Sequence, residues 1–587
     1  MIKGNYIFPV KGGDGDGLPR HHPNIAFDVE NDPETAEFIC ASIYGEYKDH
    51  HGKLHRVREY FEDRFKLMDR IKQIADSGGK KNNPFNLVGF NVDYDLHYIR
   101  ELVDDATRLS VGSRLITARL KCGTYDKDSK KRTGIKVFDC TNYVRGSLED
   151  WIKNLKMEEQ GVRKLSLKQL KERNLMDSKA TWILINWIED TMVNEFKIPL
   201  QLTIGSCSLY FFRRHFLKHT IKRNNQFLND YERKAYRGGR VEVFKRGKHF
   251  VRSYDVNSMY LSILHDNYFP DPQSATYHKG SYGCDIDITD GKFRIIHAKV
   301  MVPQQIVAPM PYYDEDRHKL LFPCGTFEGY FVSVELENAL KYDTKIVEIY
   351  DYVEYLRKER YFKDFADFVW KARQQHKGQG DSNLDYMYKT IGNSLYGKFG
   401  EQRKEGGWIR LSDFNGSTEG LLMKVYQGDE YVYTKPSQPA YDSIHTFPCI
   451  PAFVTAYGRI KLLNKLKEDE ENAVYCDTDS VKFKNPKGEP TDSKELGGWG
   501  YEYDEEQVFY RPKLYGTKRK GIPKRAELIA VGEDNEYYTY KKPLKRNEAI
   551  RREDTQNRWI TIMKKVLLTD DKRVWFEDGN SQPITIS

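Results

Sequence analysis

The chain has 587 residues, 39% of them hydrophobic, with 40 Tyr, 30 Phe and 8 Trp; that is enough apolar mass for several cores, roughly three or four by length. Lysine plus arginine (94) exceeds aspartate plus glutamate (86) by 8, a balance that admits a polyanionic partner and still leaves acids for metal sites. The eight cysteines contain no CxxC pair, which excludes a zinc ribbon or thioredoxin-like motif, and no apolar run reaches the ~18 residues of a membrane span, so a soluble, cytoplasmic protein of a reducing compartment is expected.

In chain order, residues 1–23 read as a polar, Gly-rich lead-in. Asn24 to Asn31 reads as a strand with Asp28 and Glu30 on one face and Phe27 and Val29 on the other. A strand near 40–44 and a helix over 57–77 follow. Residues 86–91 read as a further strand, and Asp95 opens a helix carrying Leu96, Ile99 and Leu102. Taken alone, Asp95 is an ordinary helix N-cap. Together, Asp28, Glu30 and Asp95 form the acidic trio that a two-metal phosphodiesterase needs. Residues 118–121 and 135–139 read as paired strands, Ser147 as the N-cap of a helix, 180–196 as a long helix, and 211–229 as a basic, aromatic helical segment. Tyr236-Arg237-Gly238-Gly239 breaks the pattern and marks a domain boundary.

A strand then runs into Asp255, with helix character from Ser258. Residues 266–330, rich in Pro, Gly and Tyr, read as an inserted subdomain, and 335–341 as helical. Two antiparallel helices are expected over 361–375 and 383–397. In the second, Lys389, Asn393 and Tyr396 fall on one face, a cation, an amide and a ring suited to a triphosphate and a base. Residues 398–447 read as a smaller insertion with a strand pair, and Thr455 to Arg459 lies on a helix. Tyr475 to Ser480 reads as a hairpin turning near Thr478. Asp477 and Asp479 share a face there, and two like charges side by side call for a divalent cation whose preference for hard oxygen suits magnesium. The remainder, beyond Arg511-Pro512-Lys513-Leu514-Tyr515-Gly516, reads as charged and partly helical.

These pieces together resemble the family B DNA polymerases, and among them the protein-primed enzymes of phages and linear plasmids. Asp255-Val256-Asn257-Ser258-Met259-Tyr260 is similar to DxxSLYP, Lys389 to Gly397 to Kx3NSxYG, Tyr475 to Ser480 to YxDTDS, and Lys513-Leu514-Tyr515 to KxY. Tyr236 to Gly239 is similar to YxGG and Thr455 to Arg459 to TxxGR. The resemblance implies an α/β and α+β multidomain fold: an RNase H-like 3′–5′ exonuclease domain (1–230) and a right-hand polymerase domain (231–587). Within the latter it implies palm at 240–264, 331–355 and 446–510, a first insertion at 265–330, fingers at 356–397, a second insertion at 398–445 and thumb at 511–587.

The resemblance further implies that Asp255, Val256 and Asp479 hold two Mg2+ (Mn2+ as substitute), with Asp477 beside them in catalysis. Lys389, Tyr260, Asn393 and Tyr396 would bind the dNTP, with Tyr260 against the sugar. Tyr236, Gly238, Gly239, Thr455, Arg459, Lys513 and Tyr515 would face DNA. Asp28, Glu30 and Asp95 would form the proofreading metal site, with Asn91, Tyr94, Ser147 and Leu148 on the single strand. Three departures stand out: Asn31 where the family has Thr, Leu261 where it has Pro, and no clean third exonuclease motif. Trp182-x3-Asn186 has the YxxxD spacing but ends in an amide, so Asp190, a turn later, is taken as the acid. The implied partners are template and primer DNA, dNTPs and a terminal protein acting as primer; the implied state is a monomer in the host cytoplasm. Alternatives on the same residues are a family B enzyme without a terminal protein, or a non-catalytic DNA-binding relative.

Overall fold

Alternation in Asn24–Asn31 sets the first layer. A computed structural model describes residues 6–7, 23–32, 34–78, 83–111, 114–122, 125–126, 131–132, 134–157, 167–280, 286–403, 407–426, 428–434, 441–443, 445–516, 522, 526–530, 536–544, 546–553, 559–565 and 570–587. Ile25, Phe27 and Val29 turn into a core with Leu67 and Ile71 of the helix Arg64–Asp76, which leaves Asp28 and Glu30 on the opposite face. The strand belongs to a seven-stranded sheet in the order Leu54–Phe61, Phe38–Lys48, Asn24–Asn31, Asn86–Gly89, Lys136–Asp139, Arg114–Leu120, Val103–Val111. Its middle three strands are parallel and the flanking pairs antiparallel. The helix Leu167–Asp190 lies across the acidic face, its Asn174 donating to Asp28 Oδ2 at 2.7 Å.

Local expectations shift in three places. Residues 57–61 belong to the strand Leu54–Phe61, and the helix begins only after the Asp63 cap, whose side chain accepts from the Phe65 N–H. Val57 is buried between exposed neighbours, a period of two that a helix does not produce. The helix expected over 180–196 starts at Leu167 and closes in a π turn, Thr191–Glu195. The segment 211–229 divides into Ile204–His215 and Gln226–Ala235, the second capped by Asn225.

The second sheet is six-stranded and antiparallel, in the order Val241–Val243, Ala473–Asp477, Ser480–Lys484, Gly247–Val256, Trp499–Arg511, Leu514–Tyr515. The helix Cys449–Lys467 packs under it through Leu462, Leu463 and Leu466. Between its strands lie the helix pair Lys363–Gly378 and Ser382–Phe399.

Two boundaries move. The sheet of the first insertion runs Ala275–Lys279, Lys345–Tyr355, Phe293–Val302, Cys324–Val332, Thr585–Ile586. Residues 345–355, expected in the palm, are therefore central strand partners of the insertion. Residues 570–587, expected in the thumb, return instead to the second sheet, where Arg573 donates to Glu242 at 3.0 Å, and to the insertion sheet, where Thr585–Ile586 pairs with Cys324–Gly325. What remains of the thumb region is the three-stranded sheet Glu527–Ala530, Glu536–Pro543, Trp559–Lys565 and the helix Arg546–Arg552, more strand than expected. The described cysteines are free and buried, and no helix among the described residues is long and apolar enough to cross a membrane.

Candidate active sites

In the second sheet, the hairpin Ala473–Asp477 and Ser480–Lys484 turns through Thr478, which sits in the left-handed region at φ 61°. Ser480 pairs with Asp477 on one side and Asp255 on the other. The Val256 N–H donates to the Asp479 carbonyl at 2.8 Å, which pins the turn against the end of the Asp255 strand. Burial, then Asp479 and Glu502, push the Asp255 carboxyl up to about 7, opposed by Lys389 and Lys482. Burial and Asp477 also raise Asp479, again opposed by Lys389. Two anions held this close favour a cation between them. Hard, closely spaced carboxylate oxygens beside the Val256 backbone fit a divalent ion such as Mg2+. Asp477 is partnered otherwise: Lys513 Nζ stands 2.5 and 2.6 Å from its two oxygens, and Tyr475 donates to it at 3.1 Å.

On the facing helix Ser382–Phe399, Lys389 and Asn393 are exposed and Tyr396 half-buried, one continuous face as expected. The Tyr396 ring lies 4.6 Å from that of Tyr260. Arg373 ties the helix pair to the sheet, pairing with Asp385 at 2.8 Å and donating to the Ser258 hydroxyl. The Tyr236–Gly239 loop abuts the Thr478 turn: the Thr478 N–H donates to the Arg240 carbonyl at 2.8 Å, and a Cβ at Gly239 would stand 3.0 Å from Thr478 Cγ2, leaving little room for a side chain.

Three residues expected to face DNA lie inside. Thr455 is buried, its hydroxyl donating to the Pro451 carbonyl of its own helix. Arg459 is 3% exposed, paired with Glu335 at 2.7 and 2.8 Å, and it donates to the Arg237 and Gly238 carbonyls at 2.9 and 3.0 Å. It shapes the Tyr236–Gly239 loop from within. Tyr515 is 8% exposed, packed on Tyr475 and Phe509. Lys513, at φ 67°, is the exposed member of its motif.

The sequence reading also passed over a buried cation. Lys482 is 1% exposed and donates to Ser253 Oγ (2.8 Å) and Tyr503 OH (2.6 Å), while Ser253 donates to Glu502 at 2.7 Å. A bulge opposite Ser253 and Tyr254 leaves Glu502 unpaired in register, the kind of distortion that re-aims a side chain. The hint was lysine inside the apolar alternation Val481-Lys482-Phe483.

In the first sheet, ligand oxygens of Asp28, Glu30 and Asp177 lie within 4.8 Å of one another. Asp95 joins them electrostatically: Asp28 is raised well above the usual range by burial, then Asp95, Asp177 and Glu30. Asp95 is raised by burial, then by Glu30 and Asp139. Burial lifts Glu30 and Asp177 each to about 6, Asp177 adding to the rise of Glu30 and Arg173 opposing both. The cluster fits a divalent ion on the same grounds as the first.

Asp177, not Asp190, is the fourth acid. Asp190 ends the helix, 13 positions on, about 20 Å along its axis. Asn186 accepts from Asn24 at 2.9 Å, away from the acids. Requiring an aromatic at the head of the motif hid Arg173-x3-Asp177. The available signal was polar residues on a buried helical face, Asn174 and Ser178 both being 0% exposed.

The loop at Asn91, φ 64°, is held by Asp139, which accepts from the Asn91 and Val92 N–H groups at 3.0 and 3.1 Å. Tyr94 donates to Asn31 at 2.7 Å, so the residue standing in place of Thr has a defined partner. Ser147 is exposed and closes a capping box with Asp150, and Leu148 beside it is half-buried.

A family model described as DNA polymerase type B, organellar and viral, matches residues 174–442. A probable DNA polymerase of Neurospora intermedia is 27% identical over 395 residues, 63% of this chain and 39% of the relative. The DNA polymerases of Enterobacteria phage PRD1 and Bacillus phage phi29 are 25% and 24% identical over 52% and 56% of this chain and 52% and 58% of their own lengths. The chain thus spans less than two thirds of the length of these relatives. In fold it is similar to phi29 DNA polymerase complexed with primer-template DNA and incoming nucleotides: TM-score 0.65 at 15% identity, covering 94% of this chain and 100% of that one.

Proposed function

We propose that the chain is a type B DNA polymerase of the protein-primed branch, whose motifs it carries, and that it copies a DNA template from dNTPs, starting on a terminal protein, with strand displacement and 3′–5′ proofreading. The observation that carries this reading is Asp255 set beside Asp479 by the Val256–Asp479 backbone bond, two acids raised by burial and by their acidic neighbours, with the exposed Lys389 the cation that opposes the rise of both.

Asp255, Val256 and Asp479 would hold two Mg2+, which when bound activate the primer hydroxyl and neutralise charge on the leaving oxygen. Lys389 takes the triphosphate from the outer face of its helix. Tyr260, its ring packed at a tilt against Tyr396, closes the sugar side of the nucleotide pocket and excludes a 2′-hydroxyl. The Tyr236–Gly239 loop, braced by Arg459, grips template, and Lys513 meets the primer strand while its charge is balanced by Asp477. At the other cluster, Asp28, Glu30, Asp95 and Asp177 serve hydrolysis of a mismatched 3′ end, with Asn91, Tyr94, Ser147 and Leu148 holding the single strand.

Terminal-protein priming is supported by the five-stranded sheet, four of whose strands lie between Asp255 and Lys389, and strand displacement by the three-stranded sheet Gly407–Arg410, Asp429–Thr434, Leu422–Tyr426 between Gly397 and Thr455. The test is primer extension by wild type beside Asp479→Ala and Asp28→Ala. Loss of synthesis in the first alone supports the reading, and equal background in all three overturns it. Incubation with dNTPs, template ends and a candidate terminal protein tests priming: a covalent protein–nucleotide product supports it.

A further inference from the structure

The Asn91–Asp95 loop of the first domain is clamped from the far end of the chain. Asp105, 3% exposed, accepts from Arg546 Nη2 at 2.5 Å and from the Arg410 N–H at 3.3 Å, and it stands 3.4 Å from Arg108 Nε. Arg108 in turn pairs with Asp93, inside the loop. Arg546 also donates to the Trp408 carbonyl at 3.1 Å. A second contact reaches the same loop: the Trp559 side chain lies by the Tyr94 hydroxyl and opposes the rise that burial gives it. Trp408, Tyr426, Tyr431, Leu544, Ala549 and Ile550 form one apolar cluster, so the second insertion and the Arg546 helix move as a unit. That unit is charge-matched to the first domain again where Lys121 meets Asp413 at 2.6 Å.

A surface ion pair would carry little meaning. This one is buried, spans three segments far apart in sequence, and ends on the side chains between Asn91 and Asp95. A buried carboxylate sharing two guanidinium groups has a strong orientational preference, because each guanidinium donates in a fixed plane. Arg546 thereby sets the position of Asp105, Asp105 that of Arg108, and Arg108 that of Asp93.

We propose that Arg546 and Trp559 are positioning residues for the 3′–5′ exonuclease: seated on Asp105 and Tyr94, they hold the Asn91–Tyr94 stretch in the shape that receives a single-stranded 3′ end, so that this site captures a strand well only while the insertion and the Arg546 helix are closed onto it. The inference rests on the proofreading reading above. It predicts that loosening the clamp weakens capture of a DNA strand without touching the acids that cleave it.

The experiment compares wild type, Arg546→Met, Arg546→Lys and Trp559→Leu on two substrates: a single-stranded oligonucleotide, and the small ester thymidine 5′-p-nitrophenyl phosphate, which occupies the acidic cluster without needing the side chains of Asn91–Tyr94. For Arg546→Met and Trp559→Leu the expected result is a KM for the oligonucleotide raised on the order of tenfold, the loss of one charged or two neutral hydrogen bonds. The kcat on the ester should stay unchanged, and Arg546→Lys should recover part of the KM. Trp559 is more than one-third exposed, so its variant tests the clamp even if Arg546→Met does not fold. An unchanged oligonucleotide KM in a variant with full ester activity overturns the proposal while leaving proofreading intact. Wild type that cleaves neither substrate yet extends primers overturns both.

Discussion

Arg459→Ala separates two roles for one arginine that the sequence alone cannot separate. The substitution strips Glu335, 3% exposed, of both charged hydrogen bonds and leaves the Arg237 and Gly238 carbonyls without their donor. Breaking a buried pair by removing one partner costs about 3–5 kcal/mol, which lowers the unfolding midpoint of a unit of 150–250 residues by roughly 6–20 °C. The assay is differential scanning calorimetry alongside the salt dependence of primer-template binding. A fall of that size with an unchanged salt slope is expected, since the guanidinium touches protein and not phosphate. Arg459→Met combined with Glu335→Leu should recover most of it, because no lone charge is left inside. An unaltered midpoint with a salt slope reduced by about 0.9 would mean that Arg459 neutralises a phosphate, and the positioning argument would be wrong.

Asp177→Asn should abolish 3′-end degradation and spare extension, whereas Asp190→Ala should change neither; degradation of a labelled oligonucleotide reports both, and an inactive Asp190→Ala would reinstate the other acid. For pH, Asp255 is raised to about 7 and Glu30 and Asp177 to about 6. A carboxyl raised on folding contributes stability that is present below its unfolded pKa and lost as pH rises through its folded one. Metal-free protein should therefore lose stability between about pH 4 and 7, and the Mg2+-induced gain in Tm should grow over the same interval. Asp255→Asn should flatten part of that profile, and an unchanged profile would count against the assignment. Arg573→Ala leaves Glu242 with Arg240 as its remaining guanidinium partner and should destabilise by about 3–5 kcal/mol, read as faster amide exchange in Val241–Val243.

Much of this was legible because period-two strands put acids on one face. Asp28 with Glu30 could be placed from spacing and burial alone, and the Asp477–Asp479 hairpin from its turn. Lys389, Asn393 and Tyr396 were legible as a helical face. What stayed hidden depends on partners distant in sequence. Nothing near Arg459 indicates that Glu335 awaits it, so a basic residue in a DNA-linked motif was assigned to DNA. Asp177 was hidden because a motif was sought by its aromatic, while the physical requirement is an acid on the helical face that covers Asp28. The strand Lys345–Tyr355 and the segment after Asp570 were misplaced because sheet membership is decided by pairing across the chain.

The antiparallel order of the second sheet also constrains how the molecule comes into being. Asp255 and Asp479 are 224 positions apart, yet their strands are immediate neighbours. Closing a flexible loop of that length costs about 5 kcal/mol in chain entropy. The intervening helix pair and both small sheets can fold first and draw their ends together, which shortens the effective loop. The Asp255–Asp479 pair therefore forms late: the first acidic cluster, built within residues 28–177, can assemble while Asp255 and Asp479 still lie on two separate stretches of chain.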